Sequence, residues 1–177
     1  MNADPRTRPD LAPSDPAPSH LAPGDVRGAF ARVATNVAIV TTHGPHGCTA
    51  NAWAESTDPP VLLVTLRRHG ETHRRVTAAG WFAVSLLADD QAPVARRFAG
   101  PSDARFRDTP TISGPRGLAL VKDALAAIEC SVQAIHWFGA YDIVVGAVES
   151  AVFRAGGRSL LYGDHRFQSA TRLEAAS

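Results

Sequence analysis

The chain has 177 residues, 45% of them hydrophobic, 20% charged and 7% aromatic, with a formal net charge of +1. That length supports one globular domain able to bury about two thirds of its unfolded surface. Near-neutral, interspersed charge argues against a nucleic-acid surface, and no apolar run approaches the roughly 20 residues that span a bilayer.

Residues 1–24 carry Pro5, Pro9, Pro13, Pro16, Pro18 and Pro23 among Asp, Ser and Ala, with no apolar signal-peptide core. Such a composition cannot offset its ordering entropy by burial, which predicts a disordered tail. Asp25 reads as an N-cap, with Val26, Ala29, Phe30 and Val33 at helical spacing, giving a helix over 25–34. A β-branched strand over 36–42 follows. The Gly44-Pro45-His46-Gly47 turn then predicts a hairpin with 48–54. Pro59-Pro60 stops pairing before 61–66, whose near-continuous apolar run predicts a strand buried on both faces.

A helix over 71–79 is closed by Gly80, a strand covers 81–87, and a helix covers 89–98 with acidic residues at its start and Arg96-Arg97 at its end. The Gly-, Pro- and Ser-rich stretch 100–117 reads as a mobile lid. Long strands over 126–138 and 141–153, joined by Gly139-Ala140, precede short ones around 160–162 and 166–167. Residues 171–177 read as a C-terminal tail. Many strands and few helices predict a mainly β fold, a closed antiparallel β-barrel with flanking helices.

Cys48 and Cys130 form neither a disulfide framework nor a metal-ligand spacing, which fits a reducing cytoplasm. His43 and His46 flank a turn without a third ligand, so no metal is expected. No nucleophile elbow, P-loop or dinucleotide glycine motif is present. The Arg67-Arg68, Arg74-Arg75 and Arg96-Arg97 pairs read as solvated faces, and Trp53 as a core residue.

Nine short words stand in a recognisable order: RVATNVAIVTT (32–42), GCTAN (47–51), DPPVLLV (58–64), ETH (71–73), FAVSLL (82–87), ARRFAG (95–100), IEC (128–130), VGAV (145–148) and LLYGDHRF (160–167). With them, residues 25–170 resemble the flavin reductase-like, split-barrel FMN-binding proteins, which include the small reductase components of two-component flavin monooxygenases. The resemblance implies FMN or FAD bound at a homodimer interface, NADH or NADPH as hydride donor, and a transient oxygenase partner that receives reduced flavin.

It also implies site residues. Thr49, Ala50, Asn51 and Ala52 would line the isoalloxazine edge, where N3–H, O4 and N5 can meet strand backbone and one amide side chain. Ser56 lies in a segment that supplies hydroxyls in the family. Arg68 and Thr72 would hold the ribityl phosphate with Ser85 near it, and Arg166 and Phe167 would border the cofactor. Hydride transfer requires no general base, so catalytic residues are poorly defined: Tyr141 and His165 are candidates, with His43, His46 and His73 as other histidines able to donate a proton or hydrogen bond. From residues alone, Asn51 could instead bond its own backbone, and Ser85 could equally be a buried, satisfied serine.

The chain departs from the family pattern at three places. Glu55 brings a carboxylate that would repel an anionic cofactor beside it. Gly70 replaces a serine and is expected to keep a free amide. Gly139-Ala140-Tyr141 stands where many members carry Gly-Asp-His, associated with nicotinamide docking. The alternatives are a flavoenzyme of this fold acting on a specialised substrate without NAD(P)H, or a non-catalytic flavin-binding or dimeric scaffold.

Overall fold

The computed structural model describes residues 22–170. Most of the expected 1–24 tail and all of the 171–177 tail lie outside them. The first helix, α1 (Pro23–Ala31), starts ahead of the expected Asp25 cap, because proline at a helix start has its φ preset and no N–H left to satisfy. Asp25 falls in the first turn, at the positive end of the helix dipole.

There follow β1 (Thr35–Asn36), β2 (Ala38–Thr42), β3 (His46–Ala50), β4 (Ala52–Thr57), β5 (Pro60–Arg67), α2 (Glu71–Ala79) and β6 (Trp81–Leu86). A 3-10 turn at Asp89–Gln91 leads into α3 (Ala92–Ala99). Then come β7 (Thr111–Ser113), β8 (Ala119–Val121), β9 (Ala126–Phe138), β10 (Tyr141–Phe153), β11 (Leu160–Gly163) and β12 (Arg166–Ser169).

Seven strands make one sheet in the order β3-β2-β6-β9-β10-β5-β4, antiparallel throughout. Its edge strands, β3 and β4, are separated in sequence by Asn51 alone, so the sheet must roll until its edges approach. The Thr65 N–H donates to Asn51 O at 3.4 Å across that corner. The product is the expected mainly β barrel with flanking helices. Ala38, Val40, Leu62, Val64, Phe82 and Val144 fill its interior, and Val76 of α2 joins that core cluster.

Val37, just before β2, and Ile39 within it point outward, where α3 covers them with Ala95 and Phe98. That is why β2 is apolar at successive positions. β5 differs from expectation: Leu62, Val64 and Leu66 are buried while Val61, Leu63 and Thr65 are half-buried. The β2–β3 turn is shorter than expected, since His46 and Gly47 already pair with Thr42 and Thr41. The 48–54 segment is two strands rather than one, because at Asn51 the chain leaves β2 and its next strand takes β5 as partner. Trp53 is not core; it is 43% exposed on the outer face of β4.

The 100–117 stretch is tied down rather than loose. Arg97 donates to Asp108 O at 2.7 Å and to Thr109 Oγ1 at 2.9 Å. Arg105 donates to Gly47 O and Gly100 O at 2.7 and 2.9 Å. Glu129, fully buried on β9, accepts the Arg116 N–H at 3.2 Å and the Ser150 hydroxyl at 2.9 Å.

Candidate functional site

Rolling the sheet leaves β3 with a free edge, and a groove runs along it. The larger part is a cavity of about 600 Å³ lined by Cys48–Asn51 of β3 and its end, Thr65–Arg67 of β5, Gly70–Thr72 at the start of α2, and Phe98, Ala99, Arg105 and Tyr141. A second cavity of about 480 Å³ shares Thr49, Ala50, Asn51 and Ala99 and continues to Val37, Ala95, Arg96, Tyr162 and Phe167. The two together form one trough with Asn51 at its middle.

Two clamps hold this strip. The amide of Asn36 brackets Ala52, donating Nδ2–H to Ala52 O at 2.6 Å and accepting the Ala52 N–H at 3.3 Å. The Thr49 hydroxyl donates to Ala95 O of α3 at 2.9 Å. Asn51, between the two clamps, is half-buried, and its side-chain amide has no hydrogen-bond partner among the described residues. It does not bond its own backbone.

One end of the trough attracts anions. Gly70 starts α2 in extended geometry without a side-chain cap, leaving first-turn N–H groups without helical partners. The Gly70 amide itself is not free as expected, because it donates to Arg67 O at 3.0 Å. Arg67 and Arg105 add positive charge there. Glu71 also lines this end, but hydrogen bonds from Arg75 and Arg74 hold its carboxyl down to about 2 and offset its charge.

Behind this end lies a buried polar cluster: His46 Nε2 is 3.1 Å from Thr72 Oγ1, with both side chains over nine-tenths buried. Burial, reinforced by the Arg75 and Arg105 cations, pushes the His46 pKa below its ordinary value, so the ring is neutral at pH 7. Burial pushes the Cys48 thiol up, keeping it protonated beside Thr72. The opposite end of the trough is aromatic: Tyr162 meets Phe167 edge-on at 5.2 Å, and the Arg96 guanidinium lies 5.1 Å from the Phe167 ring centre.

The family model for the flavin reductase like domain matches residues 30–171. The chain belongs to that family. The actinorhodin polyketide dimerase of Streptomyces coelicolor is 36% identical over 149 residues, 81% of this chain and 84% of that protein. An NADH-dependent flavin reductase of a Rhodococcus species is 34% identical, covering 80% of this chain and 84% of its own. Among solved structures, BorF, the flavin reductase component of a bacterial two-component tryptophan halogenase, aligns with a TM-score of 0.76 at 34% identity over 82% of this chain and 96% of its own.

The residues present fit a flavin. The trough offers an open strand edge with an unpartnered amide, an aromatic floor at one end and a helix N-terminus with two arginines at the other. Of the residues read from sequence, Thr49, Ala50, Asn51 and Thr72 line it directly. Phe167 lines its aromatic part, and Tyr141 lies at its rim, half-exposed.

Others are placed elsewhere. Ala52 is buried, and the Asn36 amide occupies its backbone groups. Ser85 is fully buried and accepts the Val121 N–H at 3.0 Å, so it belongs to the core rather than to a phosphate. The Ser56 hydroxyl accepts the Asp58 N–H at 3.1 Å within its own turn. Arg166 is exposed and lines neither cavity of the trough. His165 lies in an adjoining cavity of about 550 Å³ beside α1, with Phe30, Tyr162 and Asn51.

Arg68 turns away from the trough: its guanidinium lies 5.4 Å from the Trp137 ring centre and its Nε 4.0 Å from Asp142 Oδ1. Asp142 is buried against His73, whose Nε2 approaches its Oδ2 at 2.7 Å without hydrogen-bond alignment. The adjacent Arg67, the last residue of β5, takes the lining position instead, and Arg68 lies beyond the strand end. Glu55 has no register partner, sitting at the bulge between Ala54 and Ser56, and lines neither cavity of the trough. Sequence reasoning missed Asn36, Arg67 and Arg105 as site residues; the Arg67-Arg68 pair was visible but not its facing.

Proposed function

We propose that the protein is a flavin reductase: it binds FMN or FAD in the trough, oxidises NADH and delivers reduced flavin to a partner oxygenase. The observation that carries this reading is the unpartnered amide of Asn51 on an open strand edge, midway between an anion-attracting helix start and an aromatic pair. The named activity of the Rhodococcus relative and the two-component role of BorF support it. Held by these residues, a flavin would supply the two-electron, hydride-accepting chemistry of the reaction.

The chain's own residues bind and orient. Asn51 and the β3 backbone would hold the polar edge of the ring, with Thr49 and Ala50 lining the same strip. Glu71–His73 N–H groups, the Thr72 hydroxyl, Arg67 and Arg105 hold the anionic tail. Tyr141 at the rim offers a flat face to a nicotinamide.

A homodimer is part of the proposal, supported by large apolar side chains left on the surface: Phe153 is 83% exposed, Phe30 72% and Val33 60%. So is a cytoplasmic location, supported by the free thiols of Cys48 and Cys130. Among the described residues no helix is long and apolar enough to cross a membrane.

The test is direct. Flavin fluorescence should be quenched on titrating the protein into FMN or FAD, and NADH absorbance should then fall in the presence of flavin. Absorbance that stays flat across a wide flavin range, with NADH and with NADPH, would reject the reductase reading. Flavin binding without that oxidation would favour the second reading, a flavoenzyme acting on a specialised substrate. The Gly139-Ala140-Tyr141 tip and the polyketide dimerase relative support that one.

A further inference from the structure

His46 has no direct access to the trough, yet it is buried against a residue that lines it. A threonine hydroxyl has one proton to give and two lone pairs to receive with. Thr72 Oγ1 lies 3.1 Å from His46 Nε2. If that ring nitrogen donates, the Thr72 proton is not spent on His46 and is free to point into the trough that Thr72 lines.

We propose that His46 is a positioning residue that, by donating its Nε2–H to Thr72 Oγ1, aims the Thr72 hydroxyl proton at the phosphate of a bound flavin. The inference rests on the flavin reading above. One feature of the site supports it. The neutral His46 ring carries a single N–H, so the tautomer decides whether Thr72 receives or gives. With N–H on Nε2 the site gains a donor facing the α2 N-terminus; with N–H on Nδ1 the Thr72 proton turns back to His46 and that donor is lost.

The experiment compares FMN with riboflavin, which share the ring but differ in the phosphate. Wild-type protein should bind FMN more tightly than riboflavin. His46→Phe should weaken FMN binding roughly tenfold, the size of one lost hydrogen bond to a charged group, and leave riboflavin binding unchanged. His46→Gln, which keeps an N–H donor, should restore part of the preference. Thr72→Val should lose the same preference, and adding His46→Phe to it should cost no more, since one residue acts through the other.

Preserved FMN preference in His46→Phe, tighter FMN binding, or additive losses in the double variant would overturn the proposal. So would equal affinity of the wild type for FMN and riboflavin, while failure of the wild type to bind either would overturn the flavin reading itself. Nitrogen-15 NMR of histidine-labelled wild type reads the tautomer without any substitution. A proton on Nε2 is the expected result, and a bare Nε2 sinks the idea even if His46→Phe fails to fold.

Discussion

At the scale of single residues, the site depends on side chains that never touch the trough. Asn36 makes two hydrogen bonds to the backbone of Ala52 and so fixes where Asn51 stands. Asn36→Ala should cost about 1–3 kcal/mol, measured by urea unfolding, by leaving both groups without their partner. It should also weaken flavin binding. His46 makes stability depend on pH. Its folded pKa lies below the ordinary histidine value, through burial and then Arg75 and Arg105, with Glu71 opposing. The unfolded chain therefore takes up the proton first as pH falls. Stability is complete above the ordinary histidine value and is lost as pH drops through it toward the folded value. Between about pH 7.5 and 5 the urea midpoint should fall more in wild type than in His46→Gln.

Among the elements, β9 and β10 form the spine of the barrel and tolerate little added volume. Gly146 sits at a register shift in β10, and a Cβ there would collide with the Phe82 ring and with Cys130. Gly146→Ala should therefore cost about 1–3 kcal/mol in thermal or denaturant unfolding, as overpacked cores do. The β7–β8 hairpin hangs on Glu129, whose carboxylate accepts the Arg116 N–H while the Arg116 guanidinium lies 4.2 Å from the Trp81 ring centre. Glu129→Ala should speed proteolytic cleavage within 100–117 and lower stability by about 1–3 kcal/mol, because the Arg116 N–H and the Ser150 hydroxyl lose their acceptor.

For the whole molecule, the barrel interior is closed while apolar side chains at α1 and at the end of β10 remain in solvent. A second copy is the occupant that the proposed function assigns to such surfaces. Light scattering should give about twice the 18.7 kDa chain mass. A mass of one chain, unchanged by added FMN, would remove the dimer from the proposal.

The order of elements was legible in the sequence because its signals are local: runs of β-branched residues, Gly80 after α2, and Pro59-Pro60 at the start of β5 each act within a few residues. The barrel followed from the many strands and few helices, and the family, with the strip Thr49–Asn51 that it implies, from nine short words in order. What the sequence could not say is which neighbour of a pair faces the trough. Arg67 rather than Arg68 lines it, Ser85 is spent on Val121, and Ala52 on Asn36. Facing flips with every residue of a strand, so it is decided by register and by the roll that brings the end of β3 to β5. Those pairings join residues far apart in the chain, as with Ser85 and Val121 or Glu129 and Ser150. Only the folded chain brings them together.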